Sequence, residues 1–288
     1  MISWIVLVSI KAMPELPEVE QVVRALARAI SGRRILAAEL RLKRTAPGIS
    51  AVNFNRRLRN SIITSVNRRG KYILIELDSD QVLTTHLRMT GKFVSIPAGE
   101  PLPRYAHVVF HLDNDRSLIF CDMRQFGRMR ILTANKVLQA RELRMLAPEP
   151  LSVDFSTDYF IDTLARSRRS LKQLLLDQTK VLGLGNIYAG EALFLARISP
   201  FKSADSLSRR RGLRLYEAIR EVLQEAINLG STLRIDLSDG GGVYFASPER
   251  FWRVYEREGE ACVNCGKKIR RVVHGGRSTY YCPGCQKR

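Results

Sequence analysis

The chain has 288 residues, 45% of them apolar, which is enough for one large or two ordinary domains with hydrophobic cores and excludes a disordered chain. Its 47 lysines and arginines outnumber 28 acidic residues, giving a net charge of +19 at pH 7. This excess is spread along the chain and indicates a polyanionic partner, with nucleic acid as the first candidate. The alternative is a basic protein without such a partner.

The first twelve residues contain an apolar run over residues 2–10, followed by Lys11. A secretory signal places its positive charge before the apolar run, and a membrane span needs about 20 apolar residues. We therefore expect a cytoplasmic protein with no membrane association. We interpret residues 1–12 as an extension absent from the mature protein, with Met13 as the true start.

The sequence Met13-Pro14-Glu15-Leu16-Pro17-Glu18 places a proline directly after this second methionine. Removal of the methionine would give Pro14 a free secondary amine, which can attack an aldehyde-like sugar carbon and form an iminium. The pKa of such an amine, about 7.7–8.0, leaves free base near neutral pH. Glu15 can move protons at the same centre. The alternative is a helix lead-in, with the acidic residues at the positive end of the helix.

Apolar spacing predicts a helix over residues 19–30, ended by Ser31-Gly32. Alternating apolar residues and turn signals then predict short strands with no long helix between them. This pattern indicates an antiparallel sandwich or barrel within a first domain over residues 13–145. The predicted strands cover residues 35–42, 62–67, 72–77, 82–87, 92–96, 107–112, 117–121 and 128–132.

Three loops of this domain carry candidate functional side chains. Lys71 can neutralise a phosphate or lie beside the Pro14 amine, or it can be an ordinary solvated charge. The glycine-closed loops at 86–91 and 122–127 each present apolar side chains that can enter a base stack and fill the gap left by an extruded nucleotide. Alternatively, these side chains cover a core edge.

A linker is predicted at residues 146–156, followed by helices over 158–165, 171–176, 186–195 and 207–228. Asn186 is expected to cap the third of these helices, whose free N–H groups can bind phosphate. The preceding Gly183-x-Gly185 follows no strand, which disfavours a dinucleotide site. A basic rim is expected from Arg166, Arg168, Arg169 and Lys172.

The four cysteines near the C-terminus form two Cys-x2-Cys pairs separated by 16 residues. This spacing is typical of a tetrahedral zinc site, and a disulfide pair is the alternative. A ribbon of this size depends on metal for its fold and is expected to present Arg277 to a phosphate backbone. We interpret Cys121 as a buried core residue. The predicted zinc ligands are Cys262, Cys265, Cys282 and Cys285.

Together these motifs resemble the bacterial formamidopyrimidine-DNA glycosylases, over nearly all of residues 13–288. The residues that carry the resemblance are 14–20, 69–72, 86–91, 124–127, 185–189 and the zinc ribbon. The resemblance implies an α+β protein: an N-terminal helix with an antiparallel β-sandwich, a helix-two-turn-helix domain over 157–257, and a zinc finger over 258–288. DNA would lie between the domains, and one structural Zn²⁺ would be the cofactor.

The implied activity is removal of oxidised purines, such as 8-oxoguanine and formamidopyrimidines, from double-stranded DNA, followed by strand cleavage through β,δ-elimination at the abasic site. Pro14 would be the Schiff-base nucleophile and Glu15 the proton donor. Lys71 would serve in β-elimination and phosphate contact, and Arg277 in δ-elimination.

The implied DNA contacts divide into two groups. Three residues would fill the gap left by the flipped nucleotide and contact the orphaned base: Met89, Arg124 and Phe126. Asn186 would bind phosphate. Two positions depart from the family pattern, since Tyr105 replaces a DNA-contacting histidine, and Ser167 replaces a basic residue but is flanked by Arg166 and Arg168.

The lesion preference stays open because the segment 233–248, which would cover a flipped 8-oxoguanine, has an unusual composition. An endonuclease VIII-like enzyme for oxidised pyrimidines is the alternative, although Leu16 and the complete gap-filling set favour the purine enzyme. A non-catalytic damage-binding protein becomes the alternative if residues 1–12 are retained. We expect a monomer.

Overall fold

A computed structural model describes residues 13–229, 234–235, 243–244 and 252–287. The chain divides into two compact units. Among the described residues, the first unit comprises 13–144 with the pairs 234–235 and 243–244, and the second comprises 145–229 and 252–287. The predicted N-terminal extension and most of the 233–248 segment lie outside the described residues.

The first unit begins with helix α1 (Leu16–Ile30), whose residues Val19, Val22, Leu26 and Ile30 are buried at helical spacing. The helix starts three residues before the predicted boundary at Val19. Proline near the first helical position removes an N–H that has no partner inside the helix, so Pro17 is compatible with this earlier start.

Residues 31–144 contain eight strands in two antiparallel four-stranded sheets, with orders β1-β6-β7-β5 and β2-β3-β4-β8. The prediction of an antiparallel sandwich is confirmed because side chains of both sheets and α1 share one core. The strands are β1 (Ile35–Leu40), β2 (Ile63–Arg69), β3 (Tyr72–Leu77), β4 (Gln81–His86), β5 (Gly91–Pro97), β6 (Ala106–Leu112), β7 (Arg116–Asp122) and β8 (Arg128–Thr133).

Helix α2 (Ala51–Leu58) was not predicted. Ser50 caps it by accepting a hydrogen bond from the Asn53 N–H at 3.2 Å, and only Phe54 and Leu58 are buried. Two short 3₁₀ helices, Lys43–Thr45 and Ala134–Lys136, complete the connections. The two-residue strands β9 (Arg234–Ile235) and β10 (Val243–Tyr244) pair antiparallel.

The second unit is helical and ends in a β-ribbon. Its third helix, α5 (Asn186–Leu195), is buried on nearly all sides, and its sequence is apolar apart from Asn186 and Glu191. The elements are α3 (Thr157–Ala165), α4 (Leu171–Leu175), α5 (Asn186–Leu195), α6 (Arg209–Asn228), β11 (Arg270–His274) and β12 (Arg277–Tyr281). Within the described ranges, none of the helices has the length and apolar character required to cross a membrane.

Candidate functional site

Pro14 and Glu15 directly precede α1 and are both buried. The backbone N–H of Glu15 donates to Glu18 Oε2 at 3.0 Å, and the Glu15 carboxylate accepts from the N–H at the third helical position, so the two form a capping box. Glu15 is therefore fixed to the start of a rigid helix. In the full sequence the Pro14 nitrogen is bonded to Met13, so a free amine requires removal of the residues before it.

A partly buried ion pair joins α1 to the hairpin that carries Lys71. Arg68 Nε donates to Glu20 Oε2 at 3.1 Å, and Arg68 Nη1 donates to the Gly70 carbonyl at 3.1 Å. Burial raises the pKa of Glu20, but hydrogen bonds and charges from Arg68 and Arg24 outweigh it and lower the pKa overall. Lys71 is only 6% exposed, so its interpretation as a solvated hairpin charge is wrong.

His86 lies next to this lysine on the neighbouring strand. It pairs across β3–β4 with Tyr72, whose ring meets the imidazole edge-on with centroids 4.7 Å apart. Burial, followed by the charges of Arg88 and Lys71, lowers the pKa of His86 to about 3. Because His86 Nδ1 accepts the Arg88 backbone N–H at 3.0 Å, the imidazole is neutral with its proton on Nε2.

The two glycine-closed loops are joined by the buried carboxylate of Asp122. Its Oδ1 accepts from Thr90 Oγ1 and, at 3.2 Å, from the Arg124 N–H, while its Oδ2 accepts from the Gly127 N–H at 2.7 Å. The Arg124 N–H also lies 3.0 Å from Thr90 Oγ1. The structure therefore brings the loop of Met89 and the loop of Arg124 and Phe126 together.

The loops need their glycines because the chain passes close to neighbouring atoms. A Cβ at Gly91 would lie 2.4 Å from the Leu87 carbonyl oxygen, and one at Gly127 would lie 2.5 Å from the Phe120 ring. These tight closures leave the loop tips outside the core. Arg124 is exposed, with its guanidinium carbon 5.1 Å from the centroid of the Phe126 ring.

The predicted gap-filling side chains differ in exposure. Phe126 is 43% exposed, whereas Met89 is half-buried. Tyr105 belongs to the same neighbourhood, since its carbonyl accepts the Asp122 N–H at 3.1 Å, and its exposed ring lies 5.3 Å from the Arg104 guanidinium. The first unit thus gathers one candidate proton donor, one buried lysine and a set of exposed side chains suited to stacking.

In the second unit, Asn186 is the first residue of α5, and Gly185 occupies the cap position. The prediction that Asn186 caps this helix is therefore wrong. The Oδ1 atom of its amide is buried and has no hydrogen-bond partner among the described residues. Since amide oxygen and nitrogen are assigned from their partners, this group can present either a donor or an acceptor to a ligand.

The turn before α5 is held by Gln178. Its Nε2 donates to the Leu184 carbonyl at 2.9 Å, and its Oε1 accepts the Gly183 N–H at 2.9 Å. Gly183 has φ +83°, a conformation that favours glycine. These bonds fix the approach to the helix start, the positive end of the helix dipole, which favours anions.

Arg166 and Arg168 are both exposed and line one cavity of about 600 Å³ with Lys180. Arg166 also lies 3.3 Å from Asp162, an exposed pair that adds little stability. Lys172 does not belong to this rim, so that part of the prediction is wrong. It is 1% exposed and donates from Nζ to the Ser278 carbonyl and to Thr279 Oγ1, both at 2.9 Å.

The four predicted zinc ligands lie together, with all Sγ atoms within 4.8 Å of one another. Two Sγ–Sγ distances are 3.8 and 3.4 Å, close to the edge of about 3.8 Å that a tetrahedron with Zn–S bonds of about 2.3 Å requires. Backbone N–H groups of Asn264 and Cys285 point at the sulfurs of Cys262 and Cys282 at 3.4 Å, which stabilises thiolate charge. None of the five cysteines forms a disulfide.

The cysteine cluster therefore fits one structural Zn²⁺. Cys121 is separate, 2% exposed in β7, and burial raises the pKa of its thiol to about 11, so its interpretation as a core residue is confirmed. Arg277 lies on the ribbon hairpin and is exposed.

Sequence reasoning gave no role to Asp122, Thr90 or Gln178. Asp122 had a local signal, because a carboxylate that ends an apolar strand before a glycine-closed loop can accept the loop N–H groups. Gln178 had none, since its partners become neighbours only when the turn is formed.

Comparison with known proteins identifies the family. The formamidopyrimidine-DNA glycosylase N-terminal domain matches residues 13–129, the H2TH domain of the same enzymes matches 146–236, and the zinc finger found in FPG and IleRS matches 259–288. A formamidopyrimidine-DNA glycosylase of Heliobacterium modesticaldum is 45% identical over 278 residues, covering 96% of this chain and 100% of the relative.

Solved structures agree. Lactococcus lactis Fpg in complex with abasic-site DNA has a TM-score of 0.88 and 34% identity, covering 95% of this chain and all of that one. The wild-type Lactococcus lactis enzyme with DNA containing N7-benzyl-Fapy-dG has a TM-score of 0.87 and 35% identity, covering 96% of this chain and all of that one. The chain therefore belongs to the formamidopyrimidine-DNA glycosylase family.

Proposed function

We propose that this chain is a base-excision-repair DNA glycosylase that removes oxidised purines from double-stranded DNA and then cuts the strand as an abasic-site lyase. The main observation behind the proposal is the residue at which the family match begins. It starts at residue 13, one position before Pro14, and the Heliobacterium relative is covered completely although 4% of this chain is left over. This match supports Met13 as the start and a free Pro14 amine in the mature protein.

In the proposed reaction the Pro14 nitrogen attacks C1′ of the damaged nucleotide and the C1′–base bond breaks. The C1′–O4′ bond then breaks to give the iminium, and the two protons taken up by the departing base and by O4′ come from the Pro14 amine and from Glu15. The resulting iminium acidifies the C2′ hydrogen, so β-elimination breaks the C3′–O bond. A second elimination breaks the C5′–O bond. The capping box supports the role of Glu15 because it fixes the carboxylate of the residue next to the nucleophile at the start of α1.

Lys71 is assigned to β-elimination and phosphate contact, and Arg277 to δ-elimination. The hydrogen bonds of Arg68 to Glu20 and to the Gly70 carbonyl support the assignment of Lys71, since they fix its hairpin to α1. DNA contacts are assigned to Tyr105, Arg166 and Arg168, and a phosphate contact to Asn186. The Zn²⁺ held by the four cysteines is structural and supplies no chemistry beyond folding the ribbon that carries Arg277.

Extruding a nucleotide costs a few kcal/mol, less for a damaged base. We assign Met89, Arg124 and Phe126 to the compensating contacts, as side chains that fill the vacated space. The Asp122 bonds support this assignment because they order both loops before DNA arrives, which lowers the entropic cost of insertion.

The proposed domains are residues 13–145, the linker 146–156, the helix-two-turn-helix domain 157–257 and the zinc finger 258–288, with residues 1–12 absent from the mature protein. We place the enzyme in the bacterial cytoplasm, where its DNA substrate lies, and propose that it acts as a monomer.

Activity is tested on matched duplexes containing 8-oxoguanine or thymine glycol. Faster release of 8-oxoguanine supports the purine assignment, whereas faster release of thymine glycol would favour the endonuclease VIII-like alternative. Glu15→Gln should slow base release by about 10²–10⁴-fold, because one general acid contributes about that much. Glu100→Gln, at an exposed loop position, is the matched control. An unchanged rate for Glu15→Gln would refute its role.

A further inference from the structure

The hairpin that carries Arg277 closes with a two-residue turn. Gly275 and Gly276 have φ +57° and +74°, and His274 and Arg277 form the strand pair directly beside the turn. Both central residues at positive φ are typical of the tight turns that match strand twist. Side chains of directly opposed residues project from the same face of a hairpin. A change in the position of His274 therefore also changes the position of Arg277.

Three contacts hold the tip of this hairpin on α4 and the loop after α5. His274 Nε2 lies 2.7 Å from Ser170 Oγ, and the His274 ring meets Phe201 edge-on with centroids 5.3 Å apart. A Cβ at Gly275 would lie 3.0 Å from Gln173 Nε2, so the tip rests directly on this side chain. Further along β12, Lys172 Nζ binds the Ser278 carbonyl and Thr279 Oγ1.

The Ser170 hydroxyl is itself fixed. It accepts the Gln173 N–H at 3.4 Å as the cap of α4 and lies 3.0 Å from Gln173 Oε1. His274 is thus hydrogen-bonded to a hydroxyl that is held at the start of α4, whereas Arg277, on the opposing strand, is exposed. Through this bond His274 connects the start of α4 to the end of the hairpin.

We propose that His274 is a positioning residue: its hydrogen bond to Ser170 orients the hairpin end so that Arg277 is placed for the second elimination. This inference rests on the proposed function, because it uses the role assigned there to Arg277. It concerns the step after base removal and after the first strand cleavage.

The test compares two substitutions in the full zinc-loaded protein. His274→Phe keeps a ring against Phe201 but loses the hydrogen bond. His274→Gln loses the ring but places an amide nitrogen where Nε2 was. Val273→Gln is the matched control, since Val273 lies in the same strand and is 72% exposed. The readouts are the ratio of β,δ- to β-elimination product, base release, zinc content and borohydride trapping.

His274→Phe should lower the β,δ-to-β product ratio by about threefold to tenfold, the effect of losing one hydrogen bond. Base release, zinc content and trapping should stay unchanged, and His274→Gln should restore most of the ratio. An unchanged ratio for His274→Phe, or equal losses for both substitutions, would overturn the inference. Absence of a trapped adduct with the unsubstituted protein would instead overturn the proposed function.

Discussion

The buried imidazole of His86 gives a quantitative test of the packing around Lys71. The perturbation is His86→Asn, in which the amide oxygen can take the place of Nδ1 as acceptor for the Arg88 N–H. This substitution removes the titrating group while keeping a polar acceptor at the same position. Any change in pH dependence then reports the histidine itself.

The magnitude follows from proton linkage. The pKa of His86 is lowered from 6.5 to about 3, first by burial and then by Arg88 and Lys71. Between these values the unfolded chain binds a proton that the folded protein does not, so His86 stabilises the fold above pH 6.5 and this stability is lost progressively as pH falls towards 3. The free energy of unfolding should fall by about 2 kcal/mol between pH 7 and pH 5 from this group.

The assay is urea unfolding of both proteins at pH 7, 6 and 5, followed by circular dichroism. At each pH the comparison is between the two proteins, so groups common to both cancel. His86→Asn should destabilise the protein by about 2 kcal/mol less at pH 5 than at pH 7. NMR should show an imidazole signal of His86 that does not titrate above pH 5. A constant difference between the proteins, or a titration near pH 6.5, would refute the reasoning.

Asp122→Asn should lower the free energy of unfolding by about 1–3 kcal/mol, because an amide NH₂ would face N–H donors that now bind the carboxylate. Lesion cleavage should fall as well. A variant that is equally stable in urea would contradict this expectation. The lowered pKa of Glu20 means that this carboxylate stabilises the fold above pH 4.5 and that the stabilisation is lost as the pH falls below this value. Glu20→Gln should therefore destabilise the protein less at pH 3 than at pH 7, which thermal unfolding at the two pH values can measure. Removal of zinc by a chelator should unfold the ribbon and abolish DNA binding in gel-shift assays while the strand signal of the first unit persists, whereas unchanged binding would argue against the ribbon's role.

Local patterns predicted the sheets well because the strands are short alternating or apolar segments bounded by polar turn residues. Both ends of β3 and the C-terminal end of β6 agree with the structure for this reason. Helix α2 was not predicted because it buries only Phe54 and Leu58, and two apolar residues are too few to show helical periodicity. The zinc cluster was predicted from spacing alone, since two short loops must each supply two sulfurs.

Burial of charged residues was not predictable from local sequence. Lys71 and Lys172 resemble ordinary surface lysines in the sequence, but both are buried in the folded chain. The partners of Lys172 lie 106 and 107 residues further along the chain. Such contacts depend on which elements pack together, and no residue pattern near Lys172 carries that information.

The central claim is that the Pro14 nitrogen bonds covalently to deoxyribose. Borohydride reduction during reaction with 8-oxoguanine DNA, followed by peptide mass spectrometry of the adduct, tests it most directly. We expect one adduct, on a peptide whose first residue is Pro14. An adduct on a lysine, or an active protein that keeps any residue before Pro14, would contradict the claim.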